Sequence, residues 1–229
     1  MKLRLKEQLS EFVGTKTFIF EAEEPTTWRA GQYIHYTLHH TNPDDRGDER
    51  WFTISSAPYE KEIKITTRIS SDQGSSFKKA LQGLKLDQEI EADIPKGKFV
   101  VDDPSKNYIF VAGGIGITPF HSILKQIDHD GKEINVELLY ANRNEDDIPY
   151  RDELETLSKN HKNFNITYFT GDKKINEETL KEFGEKLKDP IYYISGPEPM
   201  VEAFETTLKH IGIDEEHSKL DFFPGYESE

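Results

Sequence analysis

Cysteine is absent from this chain of 229 residues. Disulfides, cysteine nucleophiles and cysteine-ligated iron–sulfur or zinc sites within the chain are therefore excluded. Long apolar runs are absent too, since none approaches the ~20 residues of a membrane-crossing helix. The stretch Met1-Lys-Leu-Arg-Leu-Lys-Glu7 alternates charge with apolar side chains and lacks the apolar core of a signal peptide. A cytoplasmic protein without a membrane partner is the expectation. Positive charge is scarce: 29 Lys+Arg against 43 Asp+Glu leave a net charge of −14. That balance argues against nucleic acid as a partner. His39-His40 has no accompanying cluster of carboxylates or histidines at ligand spacing, so no metal is expected. No Ser/His/Asp nucleophile arrangement can be assembled. No internal repeat or low-complexity tract is present.

What is present has two parts. Hydrophobic residues at 34% and charged residues at 31% describe a polar globular protein long enough to bury a core. Residues 1–100 carry 15 Lys+Arg against 16 Asp+Glu, and residues 101–229 carry 14 against 27. The patterning changes near Pro95–Pro104, which places a boundary between units 1–100 and 101–229. The first unit reads as short strands: Lys2–Leu9, Lys16–Ala22, Gly31–His40, Arg50–Ser55, Glu62–Ile69 and Gln88–Ile94. Turn residues separate them, and one short helix about Ser76–Leu81 interrupts them. This pattern predicts an antiparallel barrel or sandwich.

The second unit alternates strand and helix. Strands about Tyr108–Val111, Ile134–Tyr140, Phe164–Phe169, Ile191–Ile194 and Lys219–Phe222 enclose helices from Thr118, about Tyr150–Ser158, Glu177–Lys186 and Pro197–His210. Such alternation predicts a five-stranded parallel sheet covered on both faces. Ligands of such sheets bind outside the carboxyl ends of the strands, where the strand order switches.

Three segments carry candidate chemistry. Tyr108-Ile-Phe-Val-Ala-Gly-Gly-Ile-Gly-Ile-Thr-Pro119 reads as strand, glycine turn and helix start. Thr118 suits an N-cap and Pro119 the first helical turn. Such a turn either binds phosphate through free N–H groups or is purely structural. Pro119 stands where GxGxxG would place its last glycine. In Arg50-Trp-Phe-Thr-Ile-Ser-Ser-Ala-Pro58, an arginine suited to a diphosphate opens a strand with aromatic and hydroxyl residues, though the same residues suit ordinary barrel packing. Gly74-Ser-Ser-Phe77 is either an anion site at a helix start or a plain serine cap.

Together these segments resemble the ferredoxin–NADP reductase superfamily. Arg50-x-Phe52-Thr53-x-x-Ser56 resembles its Arg-x-Tyr-Ser/Thr-x-x-Ser flavin signature, and Gly31-Gln32-Tyr33 the segment preceding it. Gly113-Gly-Ile-Gly-Ile-Thr-Pro119 resembles its nicotinamide-nucleotide loop. Tyr140-Ala-Asn-Arg143 with Tyr150-Arg-Asp-Glu-Leu154 resembles the next segment, and Ser195-Gly-Pro-Glu-Pro-Met200 its Cys-Gly-Pro-x-x-Met motif. The matches run in family order across almost the whole chain.

The resemblance implies an N-terminal antiparallel Greek-key β-barrel with one short helix, then a C-terminal doubly wound parallel five-stranded α/β sheet. It implies FAD and NADPH or NADH as cofactors, with hydride transfer between nicotinamide and flavin. Flavin contacts are implied for Arg50, Trp51, Phe52, Thr53, Thr66, Thr67, Gly74, Ser75, Ser76 and the C-terminal Tyr226. Nucleotide contacts are implied for Gly114, Gly116, Thr118, Pro119, Arg143, Gly196, Pro197 and Met200. Thr53, Ser195 and Asp221 are implied in the reaction itself.

Three positions depart from the family pattern. Phe52 replaces the usual tyrosine, Ser195 replaces a common cysteine, and Leu81 falls one residue off the common spacing from Gly74. At the C-terminus, the resemblance implies that Asp221 and Tyr226 approach the flavin; the alternative is that Phe222 and Phe223 only tie the tail to the sheet. Without cysteine the chain has no iron–sulfur relay, so electrons leave the flavin directly. A separate carrier such as ferredoxin or flavodoxin, met by a basic patch including Lys61, Lys64, Arg68 and Lys78, is the expected acceptor. A monomer is expected. The alternatives are a small-molecule acceptor, a reductase of free flavin, an electron-transfer subunit of a larger complex, and a non-catalytic nucleotide-binding module.

Overall fold

The computed structural model describes residues 1–69 and 74–223. The first half holds β1 (Lys2–Phe12), β2 (Thr15–Ala22), β3 (Tyr33–Thr37), β4 (Glu49–Thr53), β5 (Ile63–Arg68), α1 (Ser76–Gly83) and β6 (Glu89–Ala92). The strands pair antiparallel in the order β4-β3-β6-β1-β2-β5. Alternate residues point inward, as the period of two requires: Leu3 and Leu5 on β1, Ile34 and Tyr36 on β3, and Ile90 and Ala92 on β6 are buried. Phe77 and Leu81 of α1 join the same core.

Strand β4 ends at Thr53, short of the expected Ser55. The chain swings there so that Ser55 N–H donates to the Lys64 carbonyl of β5 at 2.9 Å. This bond joins the two edge strands and closes the sheet on itself.

The second half holds β7 (Asn107–Gly113), α2 (Thr118–His129), β8 (Asn135–Asn142), α3 (Arg151–Asn160), β9 (Phe164–Thr170), α4 (Glu177–Glu185), β10 (Ile191–Pro197), α5 (Glu198–His210) and β11 (Ser218–Phe223). The strands are all parallel, in the order β11-β10-β7-β8-β9. Tyr108, Phe110, Leu138 and Tyr140 pack with α2 and α3 residues, while Ile109, Val111, Leu139 and Ile194 pack with α4 and α5 residues. Two covered faces explain the near-continuous apolar runs. The order switches between β7 and β10, so the ends of these two strands frame the crevice.

The segment between the halves is built into both. Phe99 packs on Phe120 and Tyr193 of the second core, with ring centroids 5.4 and 5.1 Å away. Its backbone crosses Gly31, where a Cβ would stand 2.0 Å from the Phe99 carbonyl oxygen, so only glycine allows the crossing. Gln32 Nε2 donates to the Gly97 carbonyl at 3.3 Å. The Gly31-Gln32-Tyr33 motif thus seats the connecting segment. Among the described residues no helix is long and apolar enough to cross a membrane.

Candidate active site

Arg50 is the most heavily committed polar side chain of the barrel, and it is buried. Its Nη1 donates to the carbonyls of Arg46 (2.8 Å), Gly47 (3.0 Å) and Glu49 (2.6 Å). Its Nη2 donates to Asp44 Oδ1 at 2.6 Å, and the guanidinium lies 5.8 Å from the Phe77 ring centroid. Asp44 also reaches α1, where Oδ2 accepts from Ser76 N–H at 2.8 Å. Burial pushes the Asp44 carboxyl up, but the hydrogen bonds from Arg50 and Ser76 outweigh it and hold the carboxyl well below the usual range. Gly74 precedes α1, and Ser75 caps the helix by accepting from Lys78 N–H at 3.4 Å.

Phe52 shares Arg50's face of β4 and enters the barrel core against Tyr36 and Phe77. A phenylalanine carries no hydroxyl to satisfy, so the core accepts it. Trp51 points the opposite way, is 48% exposed and stacks on His35 with centroids 4.2 Å apart. Strand alternation separates it from the buried face that holds Arg50.

Thr66 stands at a junction. Its Oγ1 lies 3.0 Å from Thr17 Oγ1 and 2.9 Å from Ser55 Oγ, and accepts from the Tyr150 hydroxyl at 2.6 Å. Thr67, next to it in β5, and Thr53, at the end of β4, are buried. Tyr150 adopts a left-handed conformation (φ 62°), which starts α3 one residue later than expected. Its ring stacks on His121 at 3.7 Å. His121 Nδ1 faces the Ser55 carbonyl at 2.9 Å and Nε2 faces Glu153 Oε2 at 3.1 Å. The hydrogen bond with His121 holds the Glu153 carboxyl down to about 2. Ser122 Oγ donates to the Ser56 carbonyl at 2.6 Å. Helix α2 of the second half is therefore fastened to the Arg50–Ser56 segment of the first.

The glycine turn leaves β7 at the switch point. Residues Gly114–Ile117 form one 3₁₀ turn that runs directly into α2. Thr118 is consequently the first helical residue and not the expected cap; its hydroxyl donates back to the Ile115 carbonyl at 3.1 Å. Gly116 is pressed onto β10, where a Cβ would come within 2.3 Å of the Ser195 carbonyl oxygen. Met200 fills the space over Gly113 and Gly196. Pro119 lies in the first turn of α2 and Pro197 precedes α5. Arg143 is exposed beyond the end of β8, where its carbonyl accepts from Gly171 N–H at 3.2 Å.

Two residues at this edge were not singled out as nucleotide contacts. Arg68, at the end of β5, lies over the turn: a Cβ on Gly114 would sit 3.3 Å from its Nη2. Its Nη1 pairs with Asp147 Oδ2 at 3.3 Å. Asn142, at the end of β8, is buried, and among the described residues neither amide atom has a hydrogen-bond partner. Asp147 Oδ1 is orphaned likewise. Their place beyond the strand ends is a signal that the sequence contains only once the register is known.

Ser195 is fully buried on β10 beside Asp221 of β11, to which its hydroxyl donates at 3.2 Å. Burial pushes the Asp221 carboxyl up to about 7, and the Ser195 hydrogen bond offsets only part of that. Phe222 is 52% exposed and pairs in register with Gly196, so its side chain does not tie the strand to the core. Tyr226 lies outside the described residues.

A family model for the oxidoreductase NAD-binding domain matches residues 110–206. A flavohemoprotein of Rhodopirellula baltica is 28% identical over 218 residues, covering 86% of this chain and 53% of that protein. The chain spans about half the length of the first curated relatives it matches. The cytochrome b5 reductase domain of Ulva prolifera nitrate reductase superposes with a TM-score of 0.80 at 24% identity, over 96% of both chains. A ferredoxin NADP+ reductase from Neisseria gonorrhoeae, solved with bound FAD and NADP, superposes with a TM-score of 0.78 at 18% identity, over 97% of this chain and 98% of that one.

Proposed function

We propose that the chain is a member of the ferredoxin–NADP reductase superfamily and an NAD(P)H-dependent flavin oxidoreductase. FAD is held by residues 1–100 and the pyridine nucleotide by residues 101–229. The observation that most supports this reading is Arg68 over Gly114. The barrel strand assigned to the flavin's pyrimidine edge there touches the turn assigned to the nucleotide.

The donor sets suit both groups. Arg50, the Ser76 N–H and the start of α1 are donors for a diphosphate. Asn142, with both amide atoms unpartnered among the described residues, and Arg68 are donors beside the glycine turn. Bound FAD supplies hydride acceptance and release of electrons singly or in pairs.

The protein's own residues bind, orient and exclude water. Thr53 and the backbone at Thr66–Thr67 orient the flavin edge. Ser195 and Gly196 close the floor of the crevice, where Ser195 is wholly buried. Asp221, its carboxyl raised to about 7 by burial, accepts from the Ser195 hydroxyl and is roughly half protonated at neutral pH, so the pair can hold a proton at the crevice. Arg143 at the exposed rim is the contact for the adenosine ribose or its 2′-phosphate. A ferredoxin- or flavodoxin-type carrier takes the electrons.

A second reading, reduction of free flavin as substrate, is favoured by one observation: Arg50 already carries an internal carboxylate. An anaerobic visible spectrum of the purified protein tests the proposal. Flavin bands that bleach with NADPH or NADH are expected. A colourless protein that takes up no added FAD refutes the assignment of Arg50–Ser56.

A further inference from the structure

The turn before β4 places a carboxylate where a phosphate would sit. Asp44 Oδ1 accepts from Arg50 Nη2 at 2.6 Å and from Arg46 N–H at 3.0 Å. Asp44 Oδ2 accepts from Ser76 N–H at 2.8 Å, and Asp44 N–H donates to Ser76 Oγ at 2.9 Å. A guanidinium, a helix-start amide and a serine hydroxyl form the donor set that recognises phosphate. Here the set is filled from within the chain. Arg50's remaining N–H groups on Nη1 are taken by three backbone carbonyls. Its buried Nε has no partner among the described residues.

A second anion cannot join this arrangement unchanged. Two negative groups on one guanidinium and one amide repel at short range, most strongly where water is excluded. Asp44 also rides on a device that can yield. It begins a tight turn closed by Gly47 N–H to the Asp44 carbonyl at 2.9 Å, and its side chain is 27% exposed.

We propose that Asp44 sets the affinity of the flavin site: its carboxylate occupies the phosphate position on Arg50 and Ser76, and a flavin phosphate must exchange with it on binding. This inference rests on the assignment of Arg50 to the flavin. The exchange makes the apo protein self-sufficient in charge and reduces what a phosphate gains on arrival. The site therefore discriminates weakly between flavins with and without phosphate. The opposite role, in which Asp44 only steers Arg50 toward the ligand, makes the opposite prediction.

The test compares FAD and riboflavin binding by fluorescence titration of wild type and Asp44→Asn, with circular dichroism confirming the fold. Asp44→Asn tightens FAD by about tenfold, the scale of one close charge repulsion relieved, and leaves riboflavin within about twofold. Weaker FAD binding, or equal tightening of both ligands, overturns the proposal. FAD affinity unchanged by the substitution also overturns it and leaves the flavin reading standing. Folded proteins that both fail to bind FAD refute the flavin reading itself, and this inference with it. Should the variant not fold, hydrogen exchange on wild type decides. Residues 44–47 exchange faster with saturating FAD if Asp44 is displaced, and unchanged or slower exchange overturns the proposal.

Discussion

In the barrel, Arg50 makes four hydrogen bonds within the chain, one of which is its ion pair with Asp44. At the glycine turn, Asn142 and Asp147 leave three buried polar atoms without partners among the described residues. Both sites lie beside a helix start, and both offer donors to an anion. The first is largely satisfied before any ligand arrives, with Arg50 Nε its one unpartnered buried atom among the described residues; the second retains the cost of three unmet atoms until one does. Stability and binding are thus coupled in opposite directions in the two halves. The expectation is that the first site loses stability when altered, while the second loses mainly affinity.

The largest expected effect is on the balanced site. Arg50→Met leaves Asp44 without its guanidinium and three carbonyls without a donor, at a cost of roughly 2–3 kcal/mol. Urea unfolding checks this, and an unchanged midpoint breaks the comparison. The middle effect is on the unbalanced site. Asn142→Leu removes an amide that has no partner, so apo stability changes by less than about 1 kcal/mol or rises. Over the same substitution the KM for NAD(P)H rises several-fold while kcat holds. A loss of stability matching that of Arg50→Met would erase the distinction.

The last prediction is a pH dependence at Asp221, which sharpens where the unmet cost lies. Its carboxyl is raised from 3.8 to about 7 by burial. Between these values the unfolded chain has released the proton while the native state keeps it, so this group lowers stability as pH rises. Asp221→Asn removes that dependence. Thermal melts across the window should fall less steeply with pH in the variant, and identical slopes would show that Asp221 titrates normally.

The strands and helices were legible because their patterns are local. Alternation on Lys2–Leu9 and Gln88–Ile94, and the apolar run Tyr108–Val111, reflect one-sided and two-sided burial respectively. Thr118 was misplaced because a cap and a first helical residue share the same preferences, and only the 3₁₀ turn before it decides between them. Among the flavin contacts expected, Arg50 and Ser76 meet across Asp44, while Trp51 lies on the outer face. Asp44 itself was invisible as a participant: in Asn42-Pro-Asp-Asp-Arg-Gly47 an aspartate reads as turn chemistry. Arg68 read as one of several surface cations, because nothing local reports that β5 ends over a turn 46 positions downstream. Long-range juxtaposition, not residue type, was the missing information.

The crossing of Phe99 over Gly31 carries a consequence for electron flow. The ring of Phe99 is wedged into the parallel-sheet core while its carbonyl rests on the barrel, and Ser122 and His121 add bonds from α2 to Ser55 and Ser56. The passage from one half to the other is a bolt instead of a pivot. The gap across which donor and acceptor rings would face each other is then a fixed dimension of the folded chain.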